Sequence, residues 1–172
     1  DLDAMAERIT AETKLVFIAN PNNPTGTMNT KAEMDRFMAK VPDHVLVAVD
    51  EAYYEYVTRA DYPDALDYLR DGRNILSLRT FSKIYGLAGL RIGYGITTPE
   101  IAELMNKVRQ PFNTNSPAQA AALAAEIVHD RVDAAKSNLG LTNWRGATIR
   151  KQDVVIAKNY LSEPELAELN NL

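Results

Sequence analysis

A lysine and an arginine stand close together in a stretch of the chain that is rich in glycine and hydroxyl-bearing residues. The stretch is "SLRTFSKIYGLAGLRIGYG", residues 77–95; Lys83 follows an apolar run in it, and Arg91 comes shortly afterwards. A lysine that burial or a nearby positive charge keeps partly neutral near pH 7 can form an imine. Arg91 has a planar fork that suits a phosphate, and Thr80 and Ser82 add hydroxyl donors. These residue types predict a covalent cofactor site.

Three further polar residues follow other apolar runs of the sequence. Asp50 ends the run "HVLVAVD" and Tyr53 comes just after it, while Asn23 lies in the loop that follows "KLVFIAN". An aspartate at such a position can keep a pyridine nitrogen protonated, and that charge makes a pyridoxal ring an electron sink. Asn23 and Tyr53 can donate hydrogen bonds to the phenolic oxygen of the same ring. With the lysine stretch, these residues predict a site for pyridoxal 5′-phosphate (PLP).

The segments that must position these residues alternate between two patterns. Apolar runs predict four strands, at residues 14–20, 44–50, 74–80 and 91–97. Helical spacing between and after them predicts an α/β fold, a mostly parallel sheet flanked by helices. Ligands of such sheets lie beyond the carboxyl ends of the strands. We therefore expect Asn23, Asp50 and Lys83 to converge at one edge of the sheet.

Local signals mark the ends of several predicted helices. Thr30 is placed to cap the helix that follows it, with Glu33 as the second half of a capping box. Gly72 is expected to end a helix, and a Thr-Pro pair at residues 98–99 is typical of a helix start. Helical spacing predicts helices at residues 2–14, 31–41, 62–72, 98–109, 116–137 and 162–172.

Composition and charge limit the classes of protein to which the chain can belong. It has 172 residues, 46% of them hydrophobic, which suits one modest globular domain. A formal net charge of −4 gives no reason to expect nucleic acid as a partner. The absence of cysteine excludes disulfides and thiolate metal sites and fits a cytoplasmic location, and neither histidine has metal-ligand spacing. No segment predicts a membrane span, and because the sequence starts without methionine we expect a piece of a longer protein.

The order of these motifs resembles that of the fold-type I PLP-dependent aminotransferases, and specifically the histidinol-phosphate aminotransferase family. The residues that carry the resemblance are "NPNNPTGT" (20–27), "VDEAYYEY" (49–56), "RTFSKIYGLAGLRIGYG" (79–95) and "VRQPFNTNSPAQAAALAA" (108–125). The first three motifs are typical of the whole superfamily. The exact residues of "AGLRIGYG" and of the last motif favour the histidinol-phosphate branch.

The resemblance implies a role for each candidate residue. Lys83 would be the catalytic residue, forming the imine with PLP and later moving a proton between the substrate α-carbon and C4′ of the cofactor. Asp50 would pair with the pyridine nitrogen, and Asn23 and Tyr53 would hold the phenolic oxygen. Thr80, Ser82 and Arg91 would bind the phosphate. The implied reaction is amino transfer between histidinol phosphate and 2-oxoglutarate in histidine biosynthesis, with a small-molecule amino donor and a 2-oxo acid as partners of a homodimer.

The resemblance covers only part of the chain and predicts two unrelated segments. Residues 1–125 are expected to be a partial large domain of a PLP-dependent aminotransferase. Residues 126–172 resemble the virulence-associated RhuM-like family in "NLGLTNW", "IRKQDV" and "AKNYLSEPELAELN", and we expect this segment to be mainly helical or irregular. The phosphate loop, the ring-stacking aromatic and the substrate-binding arginine of the family have no counterpart here, so we expect weak cofactor binding.

Several alternatives remain open from the sequence. The chain could be a non-catalytic fusion, in which a RhuM-like tail serves an interaction and the aminotransferase part is only a scaffold. Among enzymes, threonine-phosphate decarboxylases and aromatic aminotransferases share the same lysine motif. A dinucleotide site is disfavoured, because the glycines of "GLAGLRIGYG" do not form GxGxxG after a strand.

Overall fold

Four apolar runs of the sequence form the four strands of one sheet in the computed structural model, which describes residues 1–126. The strands are β1 (Leu15–Ala19), β2 (Leu46–Asp50), β3 (Ile75–Thr80) and β4 (Gly93–Ile96), and they lie in the order β1-β2-β3-β4. The β1-β2 and β2-β3 pairs are parallel, and the β3-β4 pair is antiparallel. The predicted α/β fold with a mostly parallel sheet is confirmed.

The register of the strands brings their carboxyl ends to a common edge. Ala19 at the end of β1 lies opposite Asp50, and Asp50 at the end of β2 lies opposite Leu78. Thr80 at the end of β3 pairs with Gly93, where the antiparallel β4 begins. The polar residues that follow three strands therefore emerge at the same edge of the sheet, which is where α/β sheets bind ligands.

Helices connect and cover the strands. They are α1 (Leu2–Ala6), α2 (Lys31–Lys40), α3 (Ala65–Arg70), α4 (Pro99–Val108) and α5 (residues 116–126). Two short 3₁₀ turns are present at Tyr54–Tyr56 and Ala88–Leu90. The predicted capping box of α2 is confirmed: Thr30 accepts from the Glu33 amide, and Glu33 accepts from the Thr30 amide. Thr98 caps α4 as expected, with Pro99 in its first turn.

Two predicted helices are shorter in the structure. The helix predicted at residues 2–14 ends at Ala6, because Thr10 and Thr13 form a hydroxyl-bonded turn in which the Thr10 amide donates to Thr13 Oγ1 at 3.0 Å. The helix predicted at residues 62–72 begins only at Ala65, because the Asp64 side chain caps it through the Leu66 amide. Its predicted end at Gly72 is confirmed by a left-handed φ of 78° there.

The buried apolar residues form two clusters. The larger one, which we call the first core, joins α1, α2 and α3 to the sheet through residues such as Phe37, Val47 and Ile75, each 0% exposed. The second core lies under the lysine stretch and consists of the following buried residues: Phe81, Ile92, Ala118 and Ala122. The sheet is therefore anchored to three helices on one side, while the lysine stretch is anchored separately to α5.

Some expectations fall on residues that the structure does not describe. The RhuM-like segment, apart from its first residue, and the helix predicted at residues 162–172 lie outside the described residues, as does the second half of the helix predicted at residues 116–137. Within residues 1–126, no helix has the length and apolar character that crossing a bilayer requires.

Candidate active site

An open pocket of about 400 Å³ lies at the carboxyl edge of the sheet. The residues that line it are Asp50, Ala52, Leu78, Arg79, Thr80, Ser82, Lys83, Arg91, Ile92 and Gly93. They come from the end of β2, the end of β3 and the segment that enters β4. Five of the seven candidate residues predicted from the sequence thus share one cavity, and they supply a carboxylate, two hydroxyls, an amine and a guanidinium.

The remaining two candidates, Asn23 and Tyr53, lie beside this pocket. Asn23 Nδ2 donates to the Tyr53 hydroxyl oxygen at 2.8 Å, across thirty positions of sequence. The Tyr53 ring in turn has its centroid 5.2 Å from Lys83 Nζ. The structure therefore brings all seven candidate residues together at the edge where the sequence predicted them.

The loop that carries Asn23 is held by a buried asparagine. Asn20 is 1% exposed; its Nδ2 donates to the Asn29 carbonyl at 3.2 Å, and its Oδ1 accepts from the Asn29 amide at 2.8 Å. Between these two residues, the Asn22 amide donates to the Thr27 carbonyl at 2.8 Å. This clamp closes the loop at its base and presents Asn23, which is exposed, towards Tyr53.

The lysine stretch is a compact turn at the end of β3. The Ser82 amide donates to Thr80 Oγ1 at 3.0 Å, and the Gly86 amide donates to the Lys83 carbonyl at 3.0 Å. The Phe81 ring packs beneath them, 5.0 Å from the Tyr85 ring. The Lys83 side chain is exposed, and two arginines, Arg79 and Arg91, line the same pocket.

Two backbone features shape the side of the pocket that carries Arg91. Arg91 has φ 55° and ψ 48°, a left-handed conformation that costs a non-glycine residue free energy, and its Nη1 donates to the Ala88 carbonyl at 2.9 Å. At Gly93, an added Cβ would lie 2.8 Å from the Arg79 carbonyl oxygen. A side chain at position 93 would therefore push β4 away from β3 beside the cavity.

Beneath the pocket lies a group of charged residues that were not predicted from the sequence, and one of them, Arg79, also contributes to the pocket lining. Glu51 is 0% exposed and Arg79 is 4% exposed. Arg79 Nε and Nη2 lie 3.1 Å and 3.0 Å from Glu51 Oε2, and Nη2 lies 3.1 Å from Asp64 Oδ1. No role for Glu51 was predicted from the sequence, although an arginine inside an apolar strand indicates that a buried partner is present.

Burial and pairing act against each other in this group. Burial raises the pKa of the Glu51 carboxyl, and Arg79 and Ser77 oppose that shift. For Arg79, burial favours the neutral form, but Glu51 and Asp64 outweigh it and raise its pKa. Among residues 1–126, no buried side-chain nitrogen or oxygen lacks a hydrogen-bond partner. The charges beneath the pocket are thus paired and hydrogen-bonded.

The groups around the pocket fit PLP part by part. An amine for the aldehyde, a carboxylate for the pyridine nitrogen, an amide and a phenol for the ring oxygen, and a guanidinium with two hydroxyls for the phosphate all lie at this edge. A small number of placed polar groups around an open cleft is the usual form of a cofactor site. The residues present therefore offer a chemical partner for the aldehyde, the pyridine nitrogen, the ring oxygen and the phosphate of PLP.

Comparisons with known proteins point the same way. The chain is 57% identical over 132 residues to histidinol-phosphate aminotransferase 1 of Nitrosococcus oceani, covering 77% of this chain and 36% of that protein. It is 60% identical over 126 residues to histidinol-phosphate aminotransferase of Moorella thermoacetica, covering 73% of this chain and 33% of that protein. The chain thus spans about a third of the length of these curated relatives.

A solved structure and a family model extend this result. The crystal structure of histidinol-phosphate aminotransferase from Sinorhizobium meliloti in complex with pyridoxal-5′-phosphate matches with a TM-score of 0.67 and 38% identity, over 77% of this chain and 36% of that chain. The model of aminotransferase class I and II matches residues 1–156. Because that match spans most of the sequence and the fold agrees with it, the chain belongs to the class I and II aminotransferase family.

Proposed function

We propose that this chain carries the lysine-bearing part of a PLP-dependent histidinol-phosphate aminotransferase. The observation that carries the proposal is the arrangement of Asp50, Lys83 and the Asn23–Tyr53 pair around one sheet edge. The names of the relatives at 57% and 60% identity support the substrate. Since the chain spans about a third of those relatives, we assign it the cofactor-binding share of the activity.

The cofactor would be held from three sides. When bound, PLP supplies an electron sink for bonds at the substrate α-carbon. Asp50 would keep a proton on the pyridine nitrogen, and Asn23 and Tyr53 would hold the phenolic oxygen through their N–H and O–H groups. On the far side, Thr80, Ser82 and Arg91 would bind the phosphate; the charge of Arg91 and its planar donors suit that group.

Lys83 would have two successive roles in the reaction. Its Nζ would anchor the cofactor covalently and, once released by the incoming amino donor, would take a proton from the substrate α-carbon and return it at C4′. The exposure of Lys83 leaves its amine within reach of solutes that enter the open pocket.

The wider setting follows from the same family. We propose histidinol phosphate as the amino donor and 2-oxoglutarate as the 2-oxo acid, within histidine biosynthesis in the cytoplasm. We propose a homodimer as the working form, and we expect neither nucleic acid nor a membrane as a partner; the net charge of −4 supports the former expectation.

The division of the chain at residues 125/126 is also a proposal. The RhuM-like motifs after residue 126 support it. The aminotransferase family model, however, matches up to residue 156, beyond that boundary. A variant that ends after Ala125 tests the division, because an independent tail predicts unchanged PLP binding on its removal.

The proposed cofactor chemistry is tested by reductive labelling. PLP is added to the full chain, the visible absorbance band of a lysine-bound cofactor is recorded, and borohydride reduction followed by peptide mapping locates the label. We expect weak binding with the label on Lys83 and no label on that peptide in Lys83→Ala. Lys14→Ala is the matched control, since Lys14 is also exposed but precedes β1 at the opposite edge of the sheet. A folded chain that takes no label would favour the non-catalytic alternative.

A further inference from the structure

The buried residues Glu51 and Arg79 are direct sequence neighbours of pocket residues, and Arg79 also contributes to the lining itself. Glu51 follows Asp50, and Arg79 precedes Thr80. Successive residues of an extended chain point to opposite sides. A contact that fixes Glu51 and Arg79 beneath the sheet edge therefore also restricts where the neighbouring pocket residues can stand.

The Glu51 carboxylate connects the ends of all three parallel strands. Its Oε2 accepts from Ser77 Oγ at 2.6 Å and from Arg79, both on β3. Its Oε1 lies 3.1 Å from the Tyr62 hydroxyl, which donates at 2.6 Å to the carbonyl of Asn20, the residue that clamps the Asn23 loop. Glu51 thus bonds directly to β3 and reaches the residue after β1 through the Tyr62 hydroxyl.

The same carboxylate also holds the start of α3. The Ala65 amide donates to Glu51 Oε1 at 3.2 Å, and the neighbouring Asp64 accepts from Arg79 and from the Tyr54 hydroxyl, the latter at 3.0 Å. The Tyr54 ring lies with its centroid 3.6 Å from the guanidinium carbon of Arg79. The arginine is thus held by two carboxylates and an aromatic face, which leaves it little freedom to turn.

Stability alone is a poor explanation for such a group. Removing two charges from water is costly, and an apolar pair of similar volume is often as stable as a buried ion pair. What an apolar pair lacks is direction, because hydrogen bonds fix the angle and distance of their partners and van der Waals contacts do so only loosely. The group is therefore suited to setting a geometry.

We propose that Glu51 and Arg79 are positioning residues that fix the spacing between the Asp50 side and the Thr80 side of the pocket. The assignment of that pocket to PLP rests on the function proposed above, whereas the fixed spacing is a property of the protein without cofactor. In this arrangement Asp50, at the end of β2, and the hydroxyls of Thr80 and Ser82, at and after the end of β3, are held relative to each other on two sides of one pocket. A cofactor with both a pyridine nitrogen and a phosphate would use both sides.

The first test uses the protein without cofactor. The double variant Glu51→Leu/Arg79→Met removes both charges and keeps volume, and Asp67→Leu/Arg70→Met makes the same changes in an exposed ion pair of α3. Two amides report on the pocket: Ala52 N–H donates to Asp50 Oδ1 at 3.0 Å, and Ser82 N–H donates to Thr80 Oγ1 at 3.0 Å. We expect hydrogen exchange at these two amides to become about tenfold faster or more, with exchange in the first core unchanged.

The second test asks whether the fixed spacing contributes to binding of the cofactor's phosphate group. PLP and pyridoxal, which lacks the phosphate, are titrated into the native chain and both double variants. We expect the buried double variant to lose about tenfold or more of its PLP affinity but little of its pyridoxal affinity, so that its preference for the phosphorylated form falls. A group with only a structural role would weaken both ligands equally or neither.

The outcomes separate the two claims. Native exchange at Ala52 and Ser82 in a folded buried double variant would overturn the positioning role, whatever PLP does. A native chain that binds no PLP would overturn the proposed function and leave the exchange result to decide the positioning role. If the double variant does not fold, Glu51→Gln, which keeps the shape and one acceptor oxygen, replaces it, with faster exchange at the same two amides expected and native exchange overturning the proposal.

Discussion

The pocket and the layer beneath it contain the same kinds of charge in opposite surroundings. Asp50 and Arg91 line the pocket and are exposed, whereas Glu51 and Arg79 beneath it are almost fully buried. The acids differ by one position, and so do Arg79 and the pocket residue Thr80. The difference shows how one strand end serves two purposes: one residue is available to a ligand, and its neighbour holds the backbone in place.

The largest expected effect comes from breaking the buried layer on one side only. Arg79→Ala leaves the Glu51 carboxylate buried without its cation, and we expect a loss of about 3–5 kcal/mol in the free energy of unfolding. Asp50→Asn, a change to an exposed acid of the same edge, is expected to stay within about 0.5 kcal/mol of the native chain. Urea unfolding followed by circular dichroism measures both. Similar losses for the two variants would show that the buried and exposed charges are energetically alike.

This contrast also shows how far the sequence could predict the site. The apolar runs and the strand-end rule were sufficient to bring Asn23, Asp50 and Lys83 to one edge, because Asp50 ends its strand and the other two lie in the short segments after theirs. The same runs could not tell which of two adjacent acids faces the pocket. That choice depends on Arg79 and Ser77, which lie 28 and 26 positions away from Glu51 and meet it only in the folded chain.

The fold was predictable to a similar extent. Capping signals at Thr30 and Thr98 are local, so the starts of α2 and α4 were correct. The helix predicted at residues 2–14 was too long because its spacing favoured a helix while two threonine hydroxyls stabilise a competing turn. The prediction of a helix end is correct where several local signals agree. It is wrong where a side chain competes for the hydrogen bonds of the helix backbone.

A moderate effect is expected where the two layers meet at Gly93. Gly93→Ala introduces a methyl group 2.8 Å from the Arg79 carbonyl oxygen, and we expect about 1–3 kcal/mol of destabilisation from the forced backbone shift. Gly89→Ala is the matched control, since nothing lies within 4 Å of the added carbon there and the residue has no left-handed φ. Thermal or urea unfolding of both variants gives the comparison, and an equal response would mean that β3 and β4 separate at no cost.

A smaller effect separates conformation from charge at Arg91. Its left-handed φ of 55° strains any residue with a side chain, so we expect Arg91→Gly to be about 1 kcal/mol more stable than Arg91→Ala. Both variants lose the guanidinium and are expected to bind PLP more weakly than the native chain does. Unfolding curves and PLP titrations on the same samples test the two parts separately. Equal stabilities would indicate that the strain at this position is negligible.

The smallest expected effect is on how the free energy of unfolding changes with pH. Asp35, at the surface, and Glu51, in the interior, are expected to contribute with opposite signs. Tyr68 and then Lys31 hydrogen-bond the partly exposed Asp35 and lower its pKa below the ordinary value of 3.8. Its contribution to stability is therefore present above pH 3.8 and is lost as the pH falls through the folded-state pKa. Burial instead raises the pKa of Glu51 above 4.5, so the folded state binds that proton more readily and the contribution of Glu51 decreases as the pH rises above 4.5.

Two variants isolate these opposite signs. The stability difference between the native chain and Asp35→Asn is expected to shrink as the pH is lowered through the Asp35 pKa, and Tyr68→Phe, which removes the first donor, should shrink it at neutral pH as well. The cost of Glu51→Gln is expected to be largest, and constant, below pH 4.5 and to decrease as the pH rises through the folded-state pKa. Unfolding free energies measured between about pH 3 and 8 give both slopes. If both stability differences changed with pH in the same direction, burial would not be the dominant influence on the pKa of Glu51. The buried charges would then behave like charges at an exposed surface.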